Sequence, residues 1–494
     1  MKKQCVLEYA VLLIVSVISF TYYGLPFYKG INSDIAIHVY MTQSFSLPAD
    51  FYYWGQDRLG SFIPAIAHMV HTLTGIKPYW CVSLVEYAVI VAGIALWWRF
   101  INSSLSRILL AVFVLLPFYE MSYLLLPAHP YGEQMAVLAV VFVSMKRFTE
   151  QPGVFSVLIA SVFASIAVWI SDFSIVYLAL IPPFFADVLR FHFVPIGKAI
   201  KNPISQSVVL SLVIFLGCMV LLVLVKLQSQ RDISYAEQPF ANLDEIKYTL
   251  GLLWFYTKNV LTFSSINLFN SIAVYALIPA VIGVLYYSKP TDRWDRYFFW
   301  SIPVAFVILV LSRWVAINYV MIKYFIPVIF ISALYLARKL STIQSPFQRQ
   351  ALFALSVIGV VSASLTSITI DHKVYRDTEV ANFDIDELKQ IEAGNYIGGY
   401  WYSYVLGTAH PETIKATPHQ RDYVRNPRLA QQVINSDTIM VVMNNWLEQL
   451  PDTLIEFNRV FTSTDAVIAS GRLRMAAYVN RGLKDKPEGF QLTD

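Results

Sequence analysis

Asn32–Gly60 reads NSDIAIHVYMTQSFSLPADFYYWGQDRLG, and the apolar runs on either side of it decide what the rest of the chain must be. The stretch carries Asp34, His38, Asp50, Gln56, Asp57 and Arg58 between segments of membrane-spanning character. Ionisable side chains so placed must lie at a membrane surface or line a wet cavity, and they are functional-site candidates. Composition extends the same reading to the whole. Of 494 residues, 56% are hydrophobic, 15% aromatic and only 14% charged, with a mean hydropathy of +0.54; an ordinary soluble domain is about 25% charged. The chain is an integral membrane protein. Its net charge of +4 is spread over many loops, and no basic patch suits nucleic acid.

A bilayer crossing needs about 17–25 apolar residues. Runs of that kind lie near 5–24, 79–98, 107–126, 132–146, 153–171, 173–189, 207–226, 268–287, 298–316, 320–337 and 350–370, which gives about eleven spans. Met1-Lys2-Lys3 opens the first, and the run passes Phe20 without a small-residue cleavage site, as an uncleaved anchor would. Cys5, Cys81 and Cys218 sit inside apolar segments without disulfide or metal spacing and read as buried hydrophobes. Ser61–Gly75, SFIPAIAHMVHTLTG, is too short to cross and carries His68 and His71, so an amphipathic surface helix is expected inside an external loop spanning 25–78.

Charge sets the orientation. With the N-terminus in the cytoplasm, every inside loop is basic: Arg99 and Arg107; Lys146 and Arg147; Arg190, Lys198 and Lys201; Lys289, Arg293 and Arg296; Arg338, Lys339 and Arg349. The short outside turns near 128–132 and 171–174 carry no Lys or Arg, as the positive-inside bias requires. The opening stretch, the loop 228–267 and everything after Asp371 therefore lie outside. The tail 371–494 is more charged and holds short β-branched runs such as Thr438–Met443 and Leu473–Val479, so it reads as a soluble extracytoplasmic α/β domain behind a linker over 371–384. The preceding 1–370 form the membrane domain. No repeat and no phosphate-binding glycine loop is present.

Several polar residues fall at the outer ends of spans, and each has a structural explanation to weigh. Asp34 and His38 are four apart and share a helical face, but Ser33 or Asp34 could merely cap that helix. Glu120 and Glu133 bracket one outside turn, and an acid at the start of a helix, as Glu133 is, also complements the helix dipole. Asp172 sits at another outer junction. Arg313 and Lys323, with Tyr324, frame a turn that has no acid nearby in sequence; they suit either lipid headgroups or an anionic phosphate.

Taken in order, these motifs resemble the GT-C superfamily of polytopic glycosyltransferases, which includes protein O-mannosyltransferases and bacterial aminoarabinose transferases. Asp34 stands where the family has an acid in its first external loop. Phe51–Gly60 (FYYWGQDRLG) is similar to a glycine-rich aromatic stretch at Tyr53, Gly55, Gln56 and Gly60, and Tyr131 and Glu133 match a Tyr-x-Glu opening a span. Trp169–Asp172 (WISD) falls at a tryptophan-led turn, Lys323-Tyr324 before Pro327 meets a late Arg-Tyr, and Gly399–Tyr404 (GYWYSY) is similar to an aromatic motif of the external domain. Two departures stand out: Lys323 replaces an arginine, which removes bidentate phosphate recognition, and Ile35 follows Asp34 where a second acid would make a pair.

The resemblance implies a polytopic α-helical membrane protein of the bacterial inner membrane that moves a sugar from a polyprenyl-phosphate carrier to a glycan, lipid or protein acceptor of the envelope, with inversion. Asp34 is then the general base and Glu133 the second choice. Arg313 and Lys323, with Arg58 in reserve, would stabilise the departing phosphate, while His38, Gln56, His129, Tyr131, Asp172 and Tyr324 would bind substrate or orient the base. The carrier's chain would lie in an apolar groove lined by Trp254, Phe255 and Tyr256 in the loop before Asn267, and Tyr400, Trp401 and Tyr404 would cover the site. No cofactor is expected, although a divalent cation would fit if Asp34, Glu133 and His129 converge. Two other readings stay open at this point: a transporter or flippase for a lipid-linked saccharide, and a catalytically silent scaffold of the same fold.

Overall fold

The computed structural model of the chain describes residues 2–27, 30–56, 58–151, 153–185, 203–228, 239–261, 268–369, 383–444, 446–470 and 473–483. Asp57, the basic cluster Arg190, Lys198 and Lys201, and most of the expected linker lie outside the described residues, as do positions 186–189 of the run 173–189 and parts of the loop 228–267.

The first half of the chain forms α1 (Lys2–Tyr23), α2 (Ser33–Gln43), α3 (Phe62–Thr74), α4 (Pro78–Trp97), α5 (Ser104–Leu115), α6 (Tyr131–Glu150), α7 (Val154–Ile170), α8 (Ser174–Ala179) and α9 (Pro203–Gln228). Then come α10 (Leu243–Leu261), α11 (Leu268–Tyr287), α12 (Arg293–Val310), α13 (Arg313–Ile317), α14 (Ile326–Lys339) and α15 (Pro346–Thr369). Among the described residues each expected apolar run contains helix. Among the described residues six segments are long and apolar enough to cross a membrane: Val6–Tyr23, Pro78–Phe100, Val209–Leu227, Leu268–Tyr287, Ile322–Thr342 and Pro346–Thr369. The run 107–126 is broken: α5 ends at Leu115, Pro117 follows, and a 3-10 turn takes Tyr119–Leu124. Proline lacks the N–H that would continue the ladder. A second correction concerns 228–267, expected as a loop, because its second half is the 19-residue helix α10, with Trp254 and Phe255 exposed on it.

Local chemistry explains the helix ends nearest the site. Asn32 caps α2 by accepting the Ile35 N–H at 3.0 Å, so neither Ser33 nor Asp34 serves as the cap. α3 ends on Gly75 in the left-handed region (φ 69°), and α4 opens on Pro78, where the missing N–H is harmless. Helices α4 and α6 approach closely because Gly93 has no side chain; a Cβ there would stand 2.6 Å from Ala136 Cα. Behind them Trp97 packs against Phe100, Phe142, Phe298 and Phe330 at centroid distances of 5.5–6.2 Å. Aromatic pairs at such spacings contribute about 0.5–1.5 kcal/mol each beyond area burial.

After 382 the chain forms a sheet with short helices: α16 (Ile385–Leu388), β1 (Gly394–Gly398), α17 (Tyr400–Leu406), β2 (Ile414–Pro418), α18 (Pro427–Ile434), β3 (Thr438–Met443), β4 (Thr453–Glu456), β5 (Arg459–Ser470) and β6 (Leu473–Leu483). Strand order is β2-β1-β3-β6-β5-β4, parallel through β2, β1 and β3 and antiparallel from β3 to β4. The runs singled out at 438–443 and 473–479 are neighbours in this sheet. The sheet unit sits directly on the segment around α2: an Ile31–Phe383 bridge joins the two, and α17 packs on α2.

Candidate active site

Asp34 lies in the first turn of α2, half-buried, with Ser33 and Ile35 beneath it in the core. Its Oδ1 accepts the Tyr400 hydroxyl at 2.6 Å and the Tyr53 hydroxyl at 3.3 Å. Tyr53 also donates to the Asp34 carbonyl at 3.2 Å, and Ser33 Oγ donates to the Tyr400 carbonyl. The site is thus closed by a residue 366 positions away. Burial, and after it the Asp34 charge, pushes both phenols well above their ordinary value, so both remain protonated donors. From the described residues Oδ2 receives no hydrogen bond, which leaves one carboxylate oxygen open to an incoming donor.

The four-residue spacing from Asp34 puts His38 on the same helical face, and there it packs on Tyr53 at a centroid distance of 5.5 Å. Burial pushes its imidazole down to about 3, so it is neutral. Its Nδ1 is buried without a partner among the described residues. Gln56 turns back beneath Tyr53 through a 3.0 Å backbone bond, and its Oε1 is likewise buried without a partner. Trp169 pins the loop from below, donating from Nε1 to the Phe51 carbonyl at 2.9 Å and stacking on Phe51 at 4.8 Å. Gly60 is required by that contact, since a Cβ would stand 2.5 Å from the Trp169 carbonyl oxygen.

Two cations lie near this cluster. The half-buried Lys323 ammonium lies within electrostatic reach of the Asp34 carboxylate and of Arg58. Arg58 in turn stacks its guanidinium 3.2 Å from the Trp314 ring centroid. Lys323 stands 5.5 Å from the Tyr123 ring and 5.8 Å from Tyr324, while His129 packs edge-on against Tyr123 at 4.9 Å and stacks at 6.3 Å on Tyr131. Tyr131 is in electrostatic reach of Arg58, Tyr123 and Tyr324. Arg58, His129, Tyr131, Lys323 and Tyr324, scattered over 267 positions of sequence, therefore form one wall.

Three expected site residues sit elsewhere. Arg313 is ion-paired with Glu245 at 3.2 Å, a partner supplied by the helix α10 that the sequence did not reveal. Asp172, exposed, is paired with Lys226 at 3.1 Å. Glu133 is buried in α6 beside Glu86 of α4 and accepts the Ile63 N–H that opens α3. Among the described residues no three His, Cys, Asp or Glu side chains come together in a way that could hold a metal ion, so Asp34, Glu133 and His129 do not converge.

Sequence reasoning missed Glu86, Tyr123 and Arg425. Glu86 had a signal, a lone carboxylate inside an otherwise apolar span. Arg425 had none: it is one arginine in a charged tail, yet it is buried, stands 5.4 Å from the Tyr400 ring and donates to the Gly55 carbonyl at 3.3 Å.

No family model and no curated protein matches the chain. Among solved structures, ArnT from Cupriavidus metallidurans in the apo state superposes with a TM-score of 0.55 at 13% identity, covering 97% of this chain and 98% of that one. The same enzyme bound to undecaprenyl phosphate gives 0.55 and 13%, over 96% and 97%. The chain shares the fold of ArnT. The likeness runs almost end to end, membrane helices and sheet together, and agrees with the GT-C-like architecture that the sequence motifs suggest. An arabinofuranosyltransferase, AftD from Mycobacteria, is more distant, with a TM-score of 0.48 at 13% identity over 96% of this chain and 41% of that one.

Proposed function

We propose that this chain is an inverting glycosyltransferase that takes a sugar from a polyprenyl-phosphate carrier and passes it to an envelope acceptor on the outer side of the bacterial inner membrane, with Asp34 as general base. About eleven crossings with a cytoplasmic N-terminus and an external sheet domain accompany this reading. The observation that carries it is the asymmetry of Asp34: two phenols fix one carboxylate oxygen, the other is open, and Lys323 lies within electrostatic reach of the carboxylate with Arg58 in reach of Lys323.

The acceptor hydroxyl gives its proton to Asp34 Oδ2 as its oxygen forms a bond to the anomeric carbon. The anomeric C–O bond to phosphate breaks on the opposite face, and the electron pair leaves with the phosphate. Lys323 and Arg58 stabilise that developing charge. Arg313, already engaged with Glu245, fits a structural role better. Glu133, buried against Glu86 and a backbone N–H, is less accessible to an acceptor than half-buried Asp34 and serves to fix the start of α3. That a solved structure of ArnT holds undecaprenyl phosphate supports the choice of carrier class.

The test is transfer of labelled sugar from a panel of polyprenyl-phosphate donors to membrane extracts, with native chain and Asp34→Asn at matched expression. Loss of transfer with retained donor binding is the expected result. Equal turnover of the two would remove Asp34 from the mechanism.

A further inference from the structure

Behind Tyr53 and Arg425, a cleft of about 260 Å³ opens between the loop 44–56 and the sheet unit. Its lining comes from α2, the loop 44–56, β2 and the α18 region, with none from a membrane-crossing helix. Tyr53 and Arg425 are shared walls: each lines the cleft, Tyr53 bonds Asp34, and Arg425 sits against Tyr400.

The charge in this cleft is one-sided. Lys415, Arg425 and Arg428 line it against a single carboxylate, Asp50. Asp50 is already saturated, with Oδ2 accepting Ser46 N at 2.7 Å and Ser46 Oγ at 3.2 Å and Oδ1 accepting Trp54 Nε1 at 2.6 Å. Neither Lys415, which donates to the Pro411 carbonyl at 3.1 Å, nor Arg428 has an acid partner among the described residues. The remaining wall is aromatic and polar: Tyr40, Tyr52 and Trp54, and the buried, unpartnered Gln56 Oε1 that would accept a hydroxyl. A positively charged pocket with aromatic faces and an open acceptor matches one sugar ring bearing a negative group. Its volume lies just below the about 300–1,000 Å³ of drug-sized ligand sites, which suits one ring and not a chain.

We infer that this cleft is the acceptor subsite and that it takes an anionic sugar unit, phosphorylated or carboxylated, whose neighbouring hydroxyl reaches Asp34 past Tyr53. The inference rests on the transferase reading for the word acceptor, but the binding site itself does not. Donor phosphate and acceptor anion then meet separate cations, Lys323 and Arg58 near the Asp34 cluster and Lys415 and Arg428 in the cleft.

The experiment is titration calorimetry on the purified full chain in nanodiscs with glucose 1-phosphate, glucuronate and neutral glucose. At least one of the two anions should bind tenfold or more tightly than glucose. That preference should fall about tenfold in Lys415→Gln and in Arg428→Gln and persist in Lys323→Gln. The anion that binds identifies the charged group. Equal binding of glucose and both anions, no binding of any, or unchanged affinity in both cleft variants would overturn the assignment. Because this readout needs no turnover, anion binding that behaves as stated in a chain with no transfer activity would sink the transferase reading and leave the cleft.

Discussion

Two charge clusters in this molecule have opposite economies. At the far end of the helical bundle Asp295, buried, accepts Arg338 Nε and Lys339 Nζ at 2.6 Å each and the Thr291 hydroxyl at 2.6 Å, while Arg338 also holds Asp292. Every charge there is answered, and the cluster staples α12 to α14. Around Asp34 the Tyr400 bond is as short, but Tyr53 stands at 3.3 Å, Oδ2 is left open, and the nearby cations rest against aromatic rings. Full compensation marks a fastener, and deliberate incompleteness marks a place kept for a ligand.

The comparison breaks most sharply on the two acids themselves. Asp34→Asn should lower transfer about 10²–10⁴-fold, the range for losing a general base, with thermal stability in detergent near that of the native chain. Asp295→Ala should do the reverse: removing one member of a buried cluster costs about 3–5 kcal/mol, read as a lower unfolding temperature, while transfer per folded molecule is retained. Should Asp34→Asn unfold the protein and Asp295→Ala spare it, the contrast is wrong. Lys323→Gln should cost about 10²-fold in kcat, as expected for losing one electrostatic contact to the leaving group, with Lys323→Arg recovering much of it.

Smaller effects sharpen the picture. Tyr400→Phe removes one hydrogen bond to a charged group and should lower kcat about tenfold with little change in donor KM, because Tyr400 positions the base and does not touch the carrier. A change in KM alone would reassign it to binding. His38 gives a pH signature. It is neutral in the fold, down at about 3, whereas an unfolded chain protonates its histidines near 6.5. Between those values the unfolded state binds the extra proton, so stability is full above about 6.5 and declines toward about 3, by at most about 1.4 kcal/mol per pH unit. Thermal unfolding followed from about pH 7 to about pH 4 should show a shallower decline in His38→Gln.

What was legible in the sequence follows from the range over which each signal acts. Apolar run length is local and is imposed by the bilayer, so the long helices could be read directly. The short helix at 62–74 and the strands at 438 and 473 were likewise visible from local composition. α10 escaped because Asp244, Glu245, Lys247 and Lys258 interrupt its apolar face, and with it went the partner of Arg313. Asp34 and Lys323 stood out as candidates because a charge beside an apolar run is conspicuous. Arg425 and the specific role of Tyr400 were not, since a polar or aromatic residue in a soluble sheet unit is ordinary until the fold brings it against α2.

The Tyr400–Asp34 bond spans 366 of the 494 positions, and this sets a timetable for biogenesis. At about 5–20 residues per second, a ribosome that has just completed α2 needs roughly 20–70 s more to supply the tyrosine. Throughout that interval the nascent protein holds its acid, and soon its membrane helices, beside lipid-borne phosphates without the group that orients the acid. The last quarter of the chain therefore completes this cluster: the helices come first, and the tyrosine reaches the acid only when the trailing sheet folds and docks.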